Sequence, residues 1–497
     1  MGVSTLDIVI ICVYLIIVAL IGSLSGGKQK STKDYFMGGS NVPWWAVAFS
    51  IVAAETSSLT FISIPGLAYL TNLNFLQLTI GYLIARIIIA YLFLPAYKTG
   101  ELSTAYAFLE KRFGVVTRRY ASTVFLFTRI AADGVRLFAT AIPLAVIFRT
   151  IAFFENWSNP EIYILSIIII AIVSLVYTYT GGVKGVIWAD VLQMMIYIGG
   201  AIIALVILLN HFSNATDIVP VGNKLQVFNL DFGNSLLDFF QKPYTLLGSL
   251  IGGIFLSMAS HGTDQLIVQR LLTTRTLKDS QKAIITSGLL VMFQFALFLA
   301  VGILLFIFYK GIAITDPAAP FQKPDEIFPY FIIHSLPVGV KGLIVAGLFA
   351  AAMSTLAGSM SSLSGSAVFD LYQPTLGKNR DEKQLLFVSR IVTIIAAIIL
   401  IFVAFIFIQL SKSVVEIALG IASITYGGLL GTFLLGLLSE RVSEKGALIG
   451  FSFGIAAMLS VSVIPILMNR PPFIHWTWYV FLGTAVTISI GMFFKKK

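Results

Sequence analysis

Charged side chains are scarce in this 497-residue chain: Asp, Glu, Lys and Arg make up 11% of it, against 58% hydrophobic residues and a mean hydropathy of +0.93. Soluble domains carry about 25% charged residues, so a water-solvated surface is excluded over most of the length. Cysteine is nearly missing. The lone Cys12 excludes an intrachain disulfide and any multi-cysteine metal centre. Four histidines without HxxxH or HExxH spacing give no metal signal. Polar connections are short too, and the longest, 211–240, is too small to fold as a domain.

What is plentiful is apolar sequence in runs of spanning length, which indicates a polytopic helical membrane protein. We count thirteen spans and number them helix 0 to helix 12: 4–24, 43–69, 73–98, 117–152, 161–181, 184–210, 241–272, 282–312, 329–376, 384–411, 414–438, 444–468 and 475–493. The first has no basic flank and no small-residue cleavage site, so it reads as a retained helix and not as a leader. The net charge of +10 is distributed unevenly. One set of alternate connections holds 22 Lys and Arg, Arg270 among them, and the other holds 7. The basic set is expected on the cytoplasmic side, with the N-terminus outside and the C-terminus inside a cell membrane. The positive charge is thereby assigned to orientation, with no nucleic acid and no obligate protein partner indicated; the partners expected are the lipid bilayer, an ion and a small-molecule solute.

Within helix 1 lies AAETSSLTFISIPG, residues 53–66. A carboxylate (Glu55), hydroxyls that include Thr56, Ser57, Ser58, Thr60 and Ser63, and a Pro65–Gly66 pair fall where apolar residues belong. An ionisable group at membrane depth costs ~2.5–3.5 kcal/mol on insertion scales and is functional by default. Pro65 removes an amide donor, so the helix is expected to break there and free the carbonyls near 61–64. Such backbone survives only when buried in protein or lining a wet cavity. In helix 8, Ser354 and Thr355 follow Ala351 by three and four positions and share its face, so two hydroxyls and one carbonyl can converge. Hydroxyls of this kind also back-bond to the preceding turn or allow close helix packing. Paired with helix 1, they are neutral oxygens from two helices and suit a monovalent cation, where a carboxylate cage would suit calcium. In helix 5, Asp190 is either a carboxylate capped by nearby hydroxyls or, as we prefer, a station on the cation's route inward.

Four stretches, TRIAAD (128–133), GGVKGVIWADVLQ (181–193), GTDQLIVQRLL (262–272) and FAAAMST (349–355), occur in register, and together they resemble the solute:sodium symporter family along essentially the whole chain. The resemblance implies an all-α integral membrane protein with a LeuT-type 5+5 inverted repeat, one extra N-terminal helix and two C-terminal helices. The expected parts are 1–42 (extra helix and cytoplasmic linker), 43–210 (helices 1–5), 211–240 (extracellular loop), 241–438 (helices 6–10) and 439–497 (two helices and a basic tail). Helices 1 and 6 would be interrupted around a midplane site. It further implies a sodium site formed by the carbonyls of Ala53, Thr56 and Ala351 with the hydroxyls of Ser354 and Thr355. Some members hold a second sodium with two further helix 8 serines and the helix 5 aspartate. Here those positions are Ala357 and Gly358, so Asp190 is expected to lack hydroxyl partners, and one sodium per cycle is expected.

The solute pocket is less legible. The sugar-binding positions of the family fall on Thr60, Thr79, Leu289 and Leu419, and the arginine that binds the sialic acid carboxylate falls near Ala131, so neither pocket is reproduced. Candidate lining residues are Glu55, Ser57, Thr60, Gln77, Thr79, Tyr82, Arg136, Ser260, His261 and Gln294. Glu55 could strengthen the ion site, bind a polar group of the solute, or pair with Arg86 or Arg136, and Arg129 could pair with Asp133. The expected function is sodium-driven symport of a small polar solute by alternating access, a neutral sugar or polyol first. A small carboxylate, sialic acid or amino acid anchored by Arg136 is the alternative, and proton coupling through Glu55 and Asp190 a further one. No catalytic set is apparent.

Overall fold

In the computed structural model, residues 3–100, 102–212, 220–408, 414–468 and 470–496 are described. They are helical throughout, with two isolated bridges as the sole strand-like pairings among them. Helix 0 (Thr5–Ser25) starts at a capping box between Ser4 and Asp7. Helix 3 is Val115–Phe148, helix 7 Leu277–Phe308, helix 9 Glu382–Phe407, helix 10 Val414–Leu438, helix 11 Glu444–Leu467 and helix 12 Tyr479–Met492. Helix 2 runs from Leu76 to Thr99 with a π-turn at Ile89–Phe93. Helices 4 and 5 form one 54-residue run, Asn159–Phe212, that turns at Gly182. There φ is +57°, and a Cβ would meet the Tyr35 carbonyl oxygen at 2.6 Å, so the corner needs glycine. Among the described residues, seven helices are long and apolar enough to cross a membrane, nine with each bent pair taken as one span, and that run crossing twice together with the shorter apolar helices Ala422–Leu438 and Trp476–Met492 makes the count roughly that expected.

Two helices are broken, and both breaks sit at cap residues. Helix 1a (Trp44–Glu55) and helix 1b (Ser58–Leu70) meet at 62°, with Ser57 as the cap of 1b accepting from Thr60 N. Helix 6a (Leu246–Gly262) and helix 6b (Gln265–Leu272) meet at 60°, with Asp264 accepting from Leu266 N. The expectation about Pro65 is corrected: it lies inside helix 1b, and the interruption falls nine residues earlier, at Thr56. Gly302 of helix 7 packs directly against the Pro65 backbone, so the irregular turn is covered by protein and the helix continues through it.

Helix 8 (Val340–Ser366) is the axis of the molecule. Buried residues make up 94% of its apolar stretch, against 22% for helix 0 at the lipid-facing edge. The long span expected at 329–376 is really two elements, because a separate helix, Pro324–Ser335, precedes helix 8 and rests its first carbonyl on Gly66 of helix 1b.

Candidate functional site

Breaking helix 1 at Thr56 has a direct backbone consequence. Thr56 N donates to Val52 O at 2.9 Å, and then the chain leaves the helix with ψ +101°. The carbonyls from Ala53 to Thr56 thus pass the point where a following turn would supply donors. Helix 8 faces this break. Ser58 Oγ donates to Leu348 O at 3.0 Å, and Ser57 and Thr355 line one cavity of ≈ 10 Å³ together with Asp133, Arg136, Leu137, Thr140, Ala352 and Leu356. That is about the room a single water occupies. Thr355 Oγ1 points its proton at Ala351 O, 3.2 Å away. Of the five residues expected at the sodium site, Ala53 and Thr56 thus stand at the helix 1 break and Ala351, Ser354 and Thr355 on helix 8, with Ser57 and Ser58 making the contacts between the two segments.

Asp190 is fully buried beside them. It accepts from Ser354 Oγ at 2.6 Å, from Arg270 Nη2 at 3.0 Å and from Ser50 Oγ in a short contact. The expectation that it would lack hydroxyl partners is corrected: Ser50 of helix 1a and Ser354 of helix 8 take the places that Ala357 and Gly358 cannot fill. Arg270 is corrected as well, from a loop cation to a buried one (1% exposed). Its guanidinium lies against Gly358, where a Cβ would come within 2.6 Å of Nη2, and it also donates to Leu266 O and Ser50 Oγ. Because Ser354 gives its one proton to Asp190, its lone pairs are left for another partner.

Glu55 pairs with Arg86, one of the alternatives left open by the sequence, and also lies 3.3 Å from His261 Nε2. Arg86 also donates to Ser287 Oγ at 2.8 Å and contacts His261 Nε2 at 3.0 Å, while His261 Nδ1 faces Ser260 Oγ at 2.8 Å. This knot draws on helices 1, 2, 6 and 7, with two residues from helix 6 and one from each of the others. A second charge cluster lies on helix 3: Asp133 Oδ1 stands 3.4 Å from Arg129 and 3.4 Å from Arg136, and its Oδ2 accepts from Ser359. Arg129 reaches Asp264 at 3.2 Å, and Tyr426 Oη donates to the same carboxylate at 2.6 Å. The helix 6 break is thereby tied to helices 3 and 10.

The remaining solute candidates divide. Ser57 and Arg136 line the cavity, and Arg136 is one-fifth exposed. Gln294 is held by Thr56 and by Tyr197, and Tyr82 is buried in helix 2. Gln77 is not brought to the site: it bonds Asn74 O, Tyr244 O and Asn229 N in the outer loop. Thr79 is buried and donates to Leu76 O, and Thr60 is half-buried beside its cap. Leu289 is 54% exposed, and the Leu419 side chain lies outside the described residues.

The profile of the sodium:solute symporter family matches residues 35–454. The chain belongs to that family. This symporter is 29% identical to the sodium/sialic acid symporter of Aliivibrio fischeri over 98% of its length and 92% of the relative's. It is 28% identical to the sodium/glucose cotransporter of Vibrio parahaemolyticus, covering 98% and 90%. With human sodium-coupled monocarboxylate transporter 1 it shares 28%, covering 92% and 73%. A solved structure of a Na+-coupled sialic acid symporter in a substrate-bound, outward-open state superposes with a TM-score of 0.82 at 25% identity, covering 99% of this chain and 97% of that one. The protein is accordingly a multi-pass membrane carrier of LeuT-type fold that couples a solute to sodium.

Sequence reasoning missed Arg270, Asp264 and Tyr426. Asp264 carried a signal, being a helix-capping residue type directly before an apolar run. Arg270 carried none, because QRLLTTRTLK reads as a cytoplasmic connection until the fold places it.

Proposed function

We propose that the symporter moves a small carboxylate-bearing solute, sialic acid or a monocarboxylate in chemistry, with one sodium ion per cycle. Sodium is held by the carbonyls of Ala53, Thr56 and Ala351 and the hydroxyls of Ser354 and Thr355. The 43–210 and 241–438 segments act as the two repeats around it, with the basic face cytoplasmic. The observation that carries the substrate class is Arg136. Arg136 lines the cavity shared with Ser57, Asp133 and Thr355, and its guanidinium meets Asp133 at the long distance of 3.4 Å. Planar guanidinium donors fit a carboxylate in paired fashion. Sialic acid and monocarboxylate carriers among the relatives support the same class.

Coupling follows from what sodium and solute touch. Asp190 joins helix 1a through Ser50 and helix 6b through Arg270 to Ser354 of helix 8. Opening the cytoplasmic side requires helices 1a and 6b to leave helices 5 and 8, so this knot must come apart. Sodium between the helix 1 break and helix 8 opposes that separation until its release. Glu55 and the solute act on the same break, which links their binding to the ion's.

Uptake into proteoliposomes of labelled N-acetylneuraminate, lactate and glucose, each with sodium or choline, tests this. Sodium-dependent entry of a carboxylate is expected, with at least a tenfold rise of KM in Arg136→Gln. Sodium-dependent entry of glucose alone would favour the neutral-sugar reading that the glucose cotransporter likeness also allows.

A further inference from the structure

Around the two helix breaks, the described residues contribute four carboxylates, Glu55, Asp133, Asp190 and Asp264, and four guanidiniums, Arg86, Arg129, Arg136 and Arg270. His261 presents Nε2 to both the Arg86 guanidinium, at 3.0 Å, and Glu55 Oε2, at 3.3 Å, and Nδ1 to Ser260 Oγ. The four carboxylates and four guanidiniums sum to zero. Each acid is engaged: Glu55 by Arg86, Asp190 by Arg270, Asp264 by Arg129, and Asp133 by Arg129 and Arg136 together.

A sodium ion entering this interior brings one charge that none of these carboxylates is free to balance, and a buried charge is costly unless paired. On the other side of the ledger one cation is loosely held. Arg136 meets Asp133 at 3.4 Å, shares that oxygen with Arg129 at the same distance, and is one-fifth exposed where the other three arginines are nearly or wholly buried. The cavity it lines also has Thr355 in its wall.

We propose that the transported unit is an electroneutral pair, one sodium ion and one monoanion, the anion's negative group resting on Arg136 and the sodium on Thr355 as the water-sized cavity between them opens to admit them. Each is then the other's counter-charge. The proposal rests on the carboxylate reading of the preceding section and adds to it that the solute carries a single net negative charge and that no net charge crosses the membrane. Sodium alone binds weakly, because it leaves the interior at +1. The anion tightens it by Coulomb attraction in a medium of low dielectric.

The consequence is measurable. One net charge moving through 100 mV is worth ~2.3 kcal/mol, about a fiftyfold change in accumulation. An electroneutral pair feels none of it. The full-length protein in proteoliposomes, clamped with potassium and valinomycin at 0 and −100 mV, is supplied with 22Na+ and labelled lactate, N-acetylneuraminate or glucose. We expect a 1:1 ratio of sodium to anion and accumulation that changes less than twofold with potential. Sodium-dependent anion entry that rises towards fiftyfold with potential, or at two sodium ions per anion, overturns the electroneutral pair and leaves the carboxylate reading standing. Glucose entry without anion entry, or no sodium-dependent flux of the three, overturns both. In a separate binding measurement, saturating lactate or N-acetylneuraminate should lower the sodium half-saturation of the wild type at least tenfold and leave that of Arg136→Gln unchanged. An unchanged wild type, or a variant that still responds, overturns the proposal.

Discussion

Neutralising Glu55 should cost more stability than removing Glu55 and Arg86 together. Arg86 is completely shielded and Glu55 is 17% exposed, so the guanidinium depends on this carboxylate for its charge balance, with Ser287 and His261 supplying further contacts. Removing one partner of a buried ion pair costs ~3–5 kcal/mol, whereas replacing both by uncharged groups of similar size is often neutral. Glu55→Gln strands the shielded cation and should fall in that range. Arg86→Met strands the partly exposed anion and should lie at its lower end, about 3 kcal/mol. The double variant should lose no more than either single one. Thermal and denaturant melts of the detergent-purified protein measure the cycle. Losses that add to within ~0.5 kcal/mol would refute the reasoning, since independent sites add in that way. The cycle has a functional side too. The knot draws on helices 1, 2, 6 and 7, so each single change should slow maximal uptake more than it weakens sodium, because the helices that must travel together lose their common tie.

Replacing Ser354 or Thr355 by Ala should raise the sodium half-saturation at least tenfold each, ~1.4 kcal/mol, and the pair should abolish the sodium dependence of uptake. Gly358→Ala sets a methyl 2.6 Å from Arg270 Nη2 and 3.0 Å from Nη1, and overpacking of that kind costs ~1–3 kcal/mol in a melt. Lys224 donates to the carbonyls of Tyr69 and Thr71, at 2.6 and 3.1 Å, across the Phe306 ring, and clamps the outer loop on the end of helix 1b. Lys224→Met should speed hydrogen exchange at 220–229 and leave the cytoplasmic half unchanged. In the same loop Lys242 and Gly233 N hold the Asp231 carboxyl below its usual value of 3.8, so that clip persists at neutral pH and is lost as the pH falls below that value. Exchange at 229–242 as a function of pH reads it out.

The elements that could be read from sequence alone were those fixed by local pattern. The apolar runs gave the crossings, and the i, i+3, i+4 geometry put Ser354 and Thr355 beside Ala351 on a helix that proved to be the axis. The place of the helix 1 break was misjudged because proline is the louder local signal. Cap chemistry was the better guide, as Ser57 and Asp264 mark both interruptions. Charge pairing was legible in part. Arg129 and Asp133, four apart on one helix, could be paired by spacing. The Asp190–Arg270 contact spans 80 residues and depends on Gly358 having no side chain, and no local pattern encodes that.

Helix 0 offers a closing consequence. Its Gly22 and Gly26 meet Gly181 and Gly185 so closely that a Cβ at Gly26, Gly181 or Gly185 would strike the opposite backbone, while its Asp7 accepts from the first amides around helix 8, Gly339 N at 2.7 Å and Gly342 N at 2.9 Å. Fastened near both of its ends, this sparsely buried rod is expected to behave as a keel, moving as one piece with the helices it is tied to. A probe placed on it should therefore keep its distance to helices 4, 5 and 8 through the cycle, which makes it a natural reference mark for measuring how far other helices travel.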